Sequence, residues 1–182
     1  MPSLELPRYA QVVNNAVRHT VPETRAEQAG LLVSVLFTTP AETLEALHAA
    51  ASLAADLDAR INLVSVRVVP YPLPLDRPPV YVEFLARQLR AVAAQSPLPV
   101  EIHLYFGRDA VETLNSVLPP DSLLLAGRRR GWRANIAKRL AGRLRQKGHH
   151  VLFADRTGHA QRTIRTMGNT LRHSFVKELA HP

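Results

Sequence analysis

The chain of 182 residues contains no cysteine. Disulfides, thiolate nucleophiles, zinc–thiolate sites and iron–sulfur clusters are therefore excluded, and the composition fits a reducing compartment. Long apolar runs are missing as well. No stretch approaches the roughly 18 consecutive apolar residues of a membrane span, and the alanine-rich segment at 47–55 is bracketed by Glu45 and Asp56. Met1 to Arg8 carries Glu5 and prolines without the apolar core of a signal peptide, so a cytoplasmic protein is the expectation. Aromatic residues make up only 5%, which leaves little stacking surface for single-stranded nucleic acid. Acidic residues are also few, 15 against 23 basic ones, for a net charge of +8, and none occurs from Ser122 to Ala154. Such a balance draws anions: phosphate, nucleotide, nucleic acid or an acidic lipid surface. Arginine far outnumbers lysine, a bias that a GC-rich genome also produces on any solvated surface.

What is present is an alternation of buried-strand and amphipathic-helix patterns. Residues 1–29 read as an arm, in which Leu6, Tyr9, Val12, Val13, Ala16 and Val17 have helical spacing and predict a short amphipathic helix. Residues 31–37 form an apolar run typical of a strand covered on both faces. Thr39-Pro40-Ala41-Glu42 then supplies an N-cap, a proline at the first helical position and a glutamate at the third, opening a helix to about residue 58. Strands are predicted at 61–69, 100–105, 122–126 and 149–154, with helices at 80–95, 109–117 and 132–146, the last closed by Gly148. This order implies a doubly wound five-stranded parallel sheet with helices on both faces, a three-layer α/β/α domain over residues 30–155. The favoured strand order is 3-2-1-4-5, which puts the switch point between the first and fourth strands. Residues 156–182 form a basic tail in which Ile164, Met167, Leu171, Phe175 and Leu179 make one helical stripe.

Ligands in such sheets sit beside the switch point at the carboxyl ends of the strands. Two loops fall there, at Thr38-Thr39 and at Gly127-Arg128-Arg129-Arg130-Gly131. The second ends a buried strand and opens a helix. Its glycines permit close backbone approach, helix N-terminal amides favour phosphate, and three arginines add charge and bidentate donors. It is neither a Walker A loop nor a Gly-x-Gly-x-x-Gly fingerprint.

The stretch from Gly127 through Gly131 and Gly142 to the apolar strand His150-Val151-Leu152-Phe153 resembles the universal stress protein family. There the fourth strand is followed by Gly-x-x-Gly, about nine residues, then Gly-Ser or Gly-Thr. The resemblance covers residues 30–155 and includes the first strand and helix. It implies a cleft for ATP or another phosphate-bearing ligand; with the loop reading, the candidate contacts are Thr38, Thr39, Gly127, Arg128, Arg129, Arg130, Gly131, Gly142 and Arg143. It also implies a homodimer through the last strand, around Val151, Leu152 and Phe153. Three departures mark the chain as a diverged member. The first two glycines stand one residue further apart, Arg143 replaces the phosphate-binding hydroxyl residue, and Leu36 stands where ATP-binding members have an aspartate near the nucleotide.

No catalytic constellation accompanies this site. Adjacent strand residues such as His149-His150 point to opposite faces and make a poor metal pair. His48 and His103 read as packed or surface histidines. Ser65 and Ser122 lack a nucleophile elbow, and Glu83, Glu101, Asp109 and Glu112 show no pairing. Trp132, directly after Gly131, is expected to pack a helix start, cover the anion loop or stack on a base. The leading expectation is a binding protein rather than an enzyme. The alternative is a basic interaction module for nucleic acid or an acidic protein or membrane partner. An adenylating ligase ranks last, because Phe37-Thr38-Thr39-Pro40 occupies the place of its pyrophosphate loop.

Overall fold

A computed structural model describes residues 10–13, 16–20, 32–57, 59–76, 78, 81–127 and 133–154. Five parallel strands form its centre: β3 (Leu32–Leu36), β4 (Arg60–Val68), β5 (Val100–Gly107), β6 (Leu123–Gly127) and β7 (His150–Ala154). They lie in the order β5-β4-β3-β6-β7, which is the 3-2-1-4-5 arrangement expected. Four helices connect them, α1 (Pro40–Leu57), α2 (Val82–Ala93), α3 (Ala110–Val117) and α4 (Arg133–Gln146).

The helices divide between two faces because each carries one apolar stripe and the sheet offers two apolar surfaces. On one face α1 and α2 bury Leu47, Ala50, Leu85 and Leu89 against Val33, Val35, Ile61 and Leu63. On the other, Leu114 of α3 and Ala141 and Leu144 of α4 pack on Leu36, Val64, Leu124 and Val151. Each such fully buried leucine contributes on the order of 1.5–3 kcal/mol.

The helix ends follow their local chemistry. Asp109 caps α3, its Oδ1 accepting from the N–H groups of Val111 at 2.7 Å and Glu112 at 3.0 Å. Gly148 adopts φ +95° and closes α4. Its N–H donates to the Arg145 carbonyl at 3.0 Å, and the His149 N–H reaches the Leu144 carbonyl at 3.1 Å.

The arm departs from expectation. Where helical spacing predicted a helix, the chain forms a hairpin, β1 (Ala10–Val13) and β2 (Ala16–Thr20). The hairpin adds to the open edge of β5, with Val17 opposite Phe106 and Thr20 opposite His103, and extends the sheet to seven strands. The physical reason is tertiary: β5 would otherwise present an unpaired edge, and pairing satisfies backbone groups that an isolated short helix cannot anchor. The predicted C-terminal helix at 156–182 lies outside the described residues, as do Gly30, Leu31 and Asp155.

Candidate functional site

The switch point lies between β3 and β6, whose following helices leave to opposite faces of the sheet. There, under α3 and α4 at the carboxyl ends of the strands, is a cleft of about 200 Å³. Leu36 and Thr38 form its β3 side, Ala126 and Phe153 its floor, and Ala137 and Leu140 of α4 its wall. Of the fourteen described lining residues, thirteen are apolar, the exception being Thr38. The cleft is thus the crevice that the topology demands, furnished with aliphatic and aromatic side chains.

The two threonines at its edge behave differently. Thr39 is spent on the helix: its Oγ1 accepts from the Glu42 N–H at 3.4 Å and its carbonyl from the Thr43 N–H at 2.8 Å. Thr38 is held in place by Thr43, whose buried hydroxyl accepts the Thr38 N–H at 3.1 Å. The Thr38 hydroxyl itself is buried and has no hydrogen-bond partner. A buried polar group without a partner is unfavourable by roughly 1–3 kcal/mol, so it is available to a ligand.

Gly127 ends β6 against the first turn of α1. A Cβ there would run into the backbone carbonyl of Glu42, so only glycine admits this approach. Gly142 differs, since open space faces the position a Cβ would take. Arg143 turns to α3, where its guanidinium meets Asp109 Oδ2 at 3.1 Å and Glu112 Oε1 at 4.0 Å. The Glu112 N–H above all, with the Arg143 side chain and the Val111 N–H, holds the Asp109 carboxyl below the usual carboxylate range against the opposing push of burial. Lys147 also reaches Glu112, at 3.3 Å. Arg128, Arg129, Arg130, Gly131 and Trp132 lie outside the described residues.

The structure therefore brings Thr38, Thr39 and Gly127 to one end of the sheet and shows Arg143 occupied by two carboxylates. Sequence reading missed Thr43, which positions Thr38, and Asp109, which holds Arg143. It also missed the lining stripe Ala137, Leu140, Ala141 and Leu144. That stripe has helical i, i+3, i+4 spacing and was readable as one apolar face, although spacing cannot say that part of the face stays uncovered. His149, considered as a metal ligand, is buried at the sheet's opposite end with neither ring nitrogen bonded. Burial lowers its pKa, ahead of the smaller influences of Asp121, which raises it, and His150, which lowers it. No cluster of three or more metal-ligating side chains occurs among the described residues.

Topology and crevice together define a doubly wound α/β protein with a cleft at its switch point. No family model matches the chain, and no curated protein does. Among solved structures it is similar to a universal stress protein in complex with cAMP, at 17% identity and a TM-score of 0.47, over 70% of this chain and 98% of that one. A likeness at this level says nothing about which ligand this chain takes. No described helix is long and apolar enough to cross a membrane.

Proposed function

We propose that this chain is a universal-stress-like binding protein that holds a phosphate-bearing ligand at the switch point, without a catalytic role. The observation that carries the reading is the cleft itself. Its lining includes Ala126, next to Gly127 at the end of β6, and the next residues in the sequence are Arg128-Arg129-Arg130-Gly131. Strand end, glycine-bounded loop and helix start are the elements from which anion sites are made in this architecture. Thr38 supplies the free hydroxyl and the three arginines the charge. Gly142 leaves room, while Arg143 acts through Asp109 and Glu112 to tie α4 to α3. The ATP motif is degenerate, since Leu36 offers no carboxylate to a nucleotide. The chain works as a cytoplasmic homodimer through the β7 edge around Val151, Leu152 and Phe153.

Replacing Arg128, Arg129 and Arg130 together by alanine tests the site. Calorimetry with inorganic phosphate and with ATP should show affinity falling at least about tenfold, each charge-assisted contact being worth roughly 1.5–3 kcal/mol. Circular dichroism should stay unchanged. Undiminished affinity would remove the loop from the site. The basic surface as a whole would then become the better reading, as a module that holds nucleic acid or another acidic partner with strong salt dependence.

A further inference from the structure

The chain is poor in aromatic residues, yet the fold gathers several of them on one outer surface. Among the described residues the large hydrophobic side chains left exposed are Val68, Tyr71, Leu73, Tyr81 and Phe84, and all of them fall between the end of β4 and the first turn of α2. The other described aromatics, Phe37, Tyr105, Phe106 and Phe153, pack into the two cores. Single exposed apolar residues are ordinary, whereas a concentration of them marks a binding surface. We infer that this surface takes single-stranded nucleic acid, with bases stacking on Tyr71, Tyr81 and Phe84 and phosphates meeting the arginines beside them. None of these residues lines the switch-point cleft, so the inference is independent of the ligand proposed there.

Topology brings the rings together. α2 leads from the carboxyl end of β4 back to the start of β5, so its first turn stands at the same end of the sheet as Tyr71. Tyr71 is held as a platform. Arg108 Nη1 donates to the carbonyls of Val69 at 2.9 Å and Pro70 at 3.0 Å, and the guanidinium lies over the Tyr71 ring, 5.8 Å from its centroid. One face of the ring is thus backed by a cation fixed to the backbone, while the residue stays 86% exposed. A ring ordered beforehand loses little freedom when a base stacks on it.

Tyr81 and Phe84 are 88% and 57% exposed. Leu85, Ala86, Leu89 and Val92 form the buried side of α2, which leaves Phe84, Arg87 and Arg90, spaced by three, on its outer side. Around the rings Arg67, Arg87, Arg90 and Arg108 outnumber the carboxylates Asp76 and Glu83. Asp109, next to Arg108, is turned to the α3 amides and Arg143. An occupant that fits must alternate flat apolar groups with negative charge. The bases and phosphates of a single strand do so, and the net charge of +8 draws such a polyanion. A duplex keeps its base faces within its own stack.

Fluorescence anisotropy of the full chain with a labelled strand of about twelve thymidine nucleotides, alone and annealed to its complement, tests this. The single strand is expected to bind with an affinity that falls as salt is added, and the duplex to bind at least about tenfold more weakly. Tyr71→Ala, Tyr81→Ala and Phe84→Ala should each weaken the single strand roughly fivefold or more. Tyr81→Phe, which keeps the ring, should bind as the wild type does, and Arg87→Ala should reduce the salt slope by about one. The substituted side chains are exposed, so circular dichroism should stay unchanged. Should a variant fail to fold, the comparison of single strand with duplex on the wild type still decides. Alanine variants that bind as tightly as the wild type would place the nucleic acid elsewhere on the basic surface and overturn the inference. A duplex bound as tightly as the single strand would overturn it as well. So would a wild type that binds neither at low salt, which would leave the rings to a protein partner.

Discussion

At the scale of single residues, the contrast between Gly127 and Gly142 is the most instructive. Both belong to the glycine spacing that suggested a nucleotide site, yet Gly127 is held by steric necessity against the carbonyl of Glu42 and Gly142 faces open space. Gly127→Ala must push α1 off β6 or distort the strand, and overpacking of this kind destabilises by about 1–3 kcal/mol. A urea midpoint clearly below that of the wild type is expected, with ligand affinity falling too because α1 positions Thr38. Gly142→Ala, by comparison, should leave stability unchanged or slightly raised, since alanine is favoured over glycine within a helix.

His149 adds a pH dependence. Its folded-state pKa lies below the ordinary value of 6.5, mainly because burial disfavours the charged ring. Above about pH 6.5 neither state is protonated there and the group has no effect. As pH falls below that value, the unfolded chain takes up a proton that the folded one refuses, and stability declines until the depressed folded value is reached. Asp121, which raises the His149 value, and His150, which lowers it, modify the extent but not the sign. Urea midpoints at pH 7.5 and 5.5 should differ in the wild type, and the difference should shrink in His149→Leu. An identical pH response in the two proteins would place the sensitive group elsewhere.

At the scale of elements, the N-terminal hairpin has a definite task. β5 is a strand of the parallel sheet whose outer side is paired only by β2, in antiparallel register. Val17→Pro removes a ladder hydrogen bond and introduces a ring that an interior strand cannot accommodate. Hydrogen exchange should then show the amides of β5 on its β2 side losing protection, while those of β3 and β6 keep theirs. Unchanged protection in β5 would mean that the hairpin is not what shields this edge. A spacing of three and four in the arm was satisfied equally by a helix and by two short strands, because Val12, Val13, Ala16 and Val17 fit both patterns. Which pattern prevails depends on the available β5 edge, and that edge exists only after the sheet is assembled.

At the scale of the whole molecule, the proposed homodimer depends on the other sheet edge, β7. The His150 N–H donates to the Ser122 carbonyl at 2.9 Å, so the backbone groups of the next residue, Val151, face outward. The Arg145 guanidinium donates to that outward carbonyl, as a cation commonly does where a natural edge is protected. A partner strand pairing along β7 must displace it. Arg145→Ala is therefore expected to tighten self-association about tenfold, the equivalent of releasing one charge-assisted hydrogen bond. Sedimentation equilibrium over a hundredfold concentration range reads this directly. A monomer mass at every concentration for both proteins would exclude the β7 dimer.

The order of strands and helices and the two-faced burial of the core followed from the sequence alone. Short continuous apolar runs bounded by glycine and proline read as doubly covered strands, each separated by a helix long enough for a right-handed crossover, and these constraints leave few topologies. The position of the cleft followed from that topology, since a switch point exists wherever strand order reverses. Three features required the tertiary structure. The hairpin on β5 arises from long-range edge pairing that local periodicity does not encode. The commitment of Thr39 to a helix cap and of Arg143 to Asp109, 34 residues away, depends on distances that only packing sets. Finally, the apolar stripe on α4 is readable as a pattern, but whether it meets the sheet or stands off to leave a cleft depends on how α3, α4 and the strands fit together in volume. Side-chain identities determine which surfaces seek cover, and the assembled fold determines which of them find it.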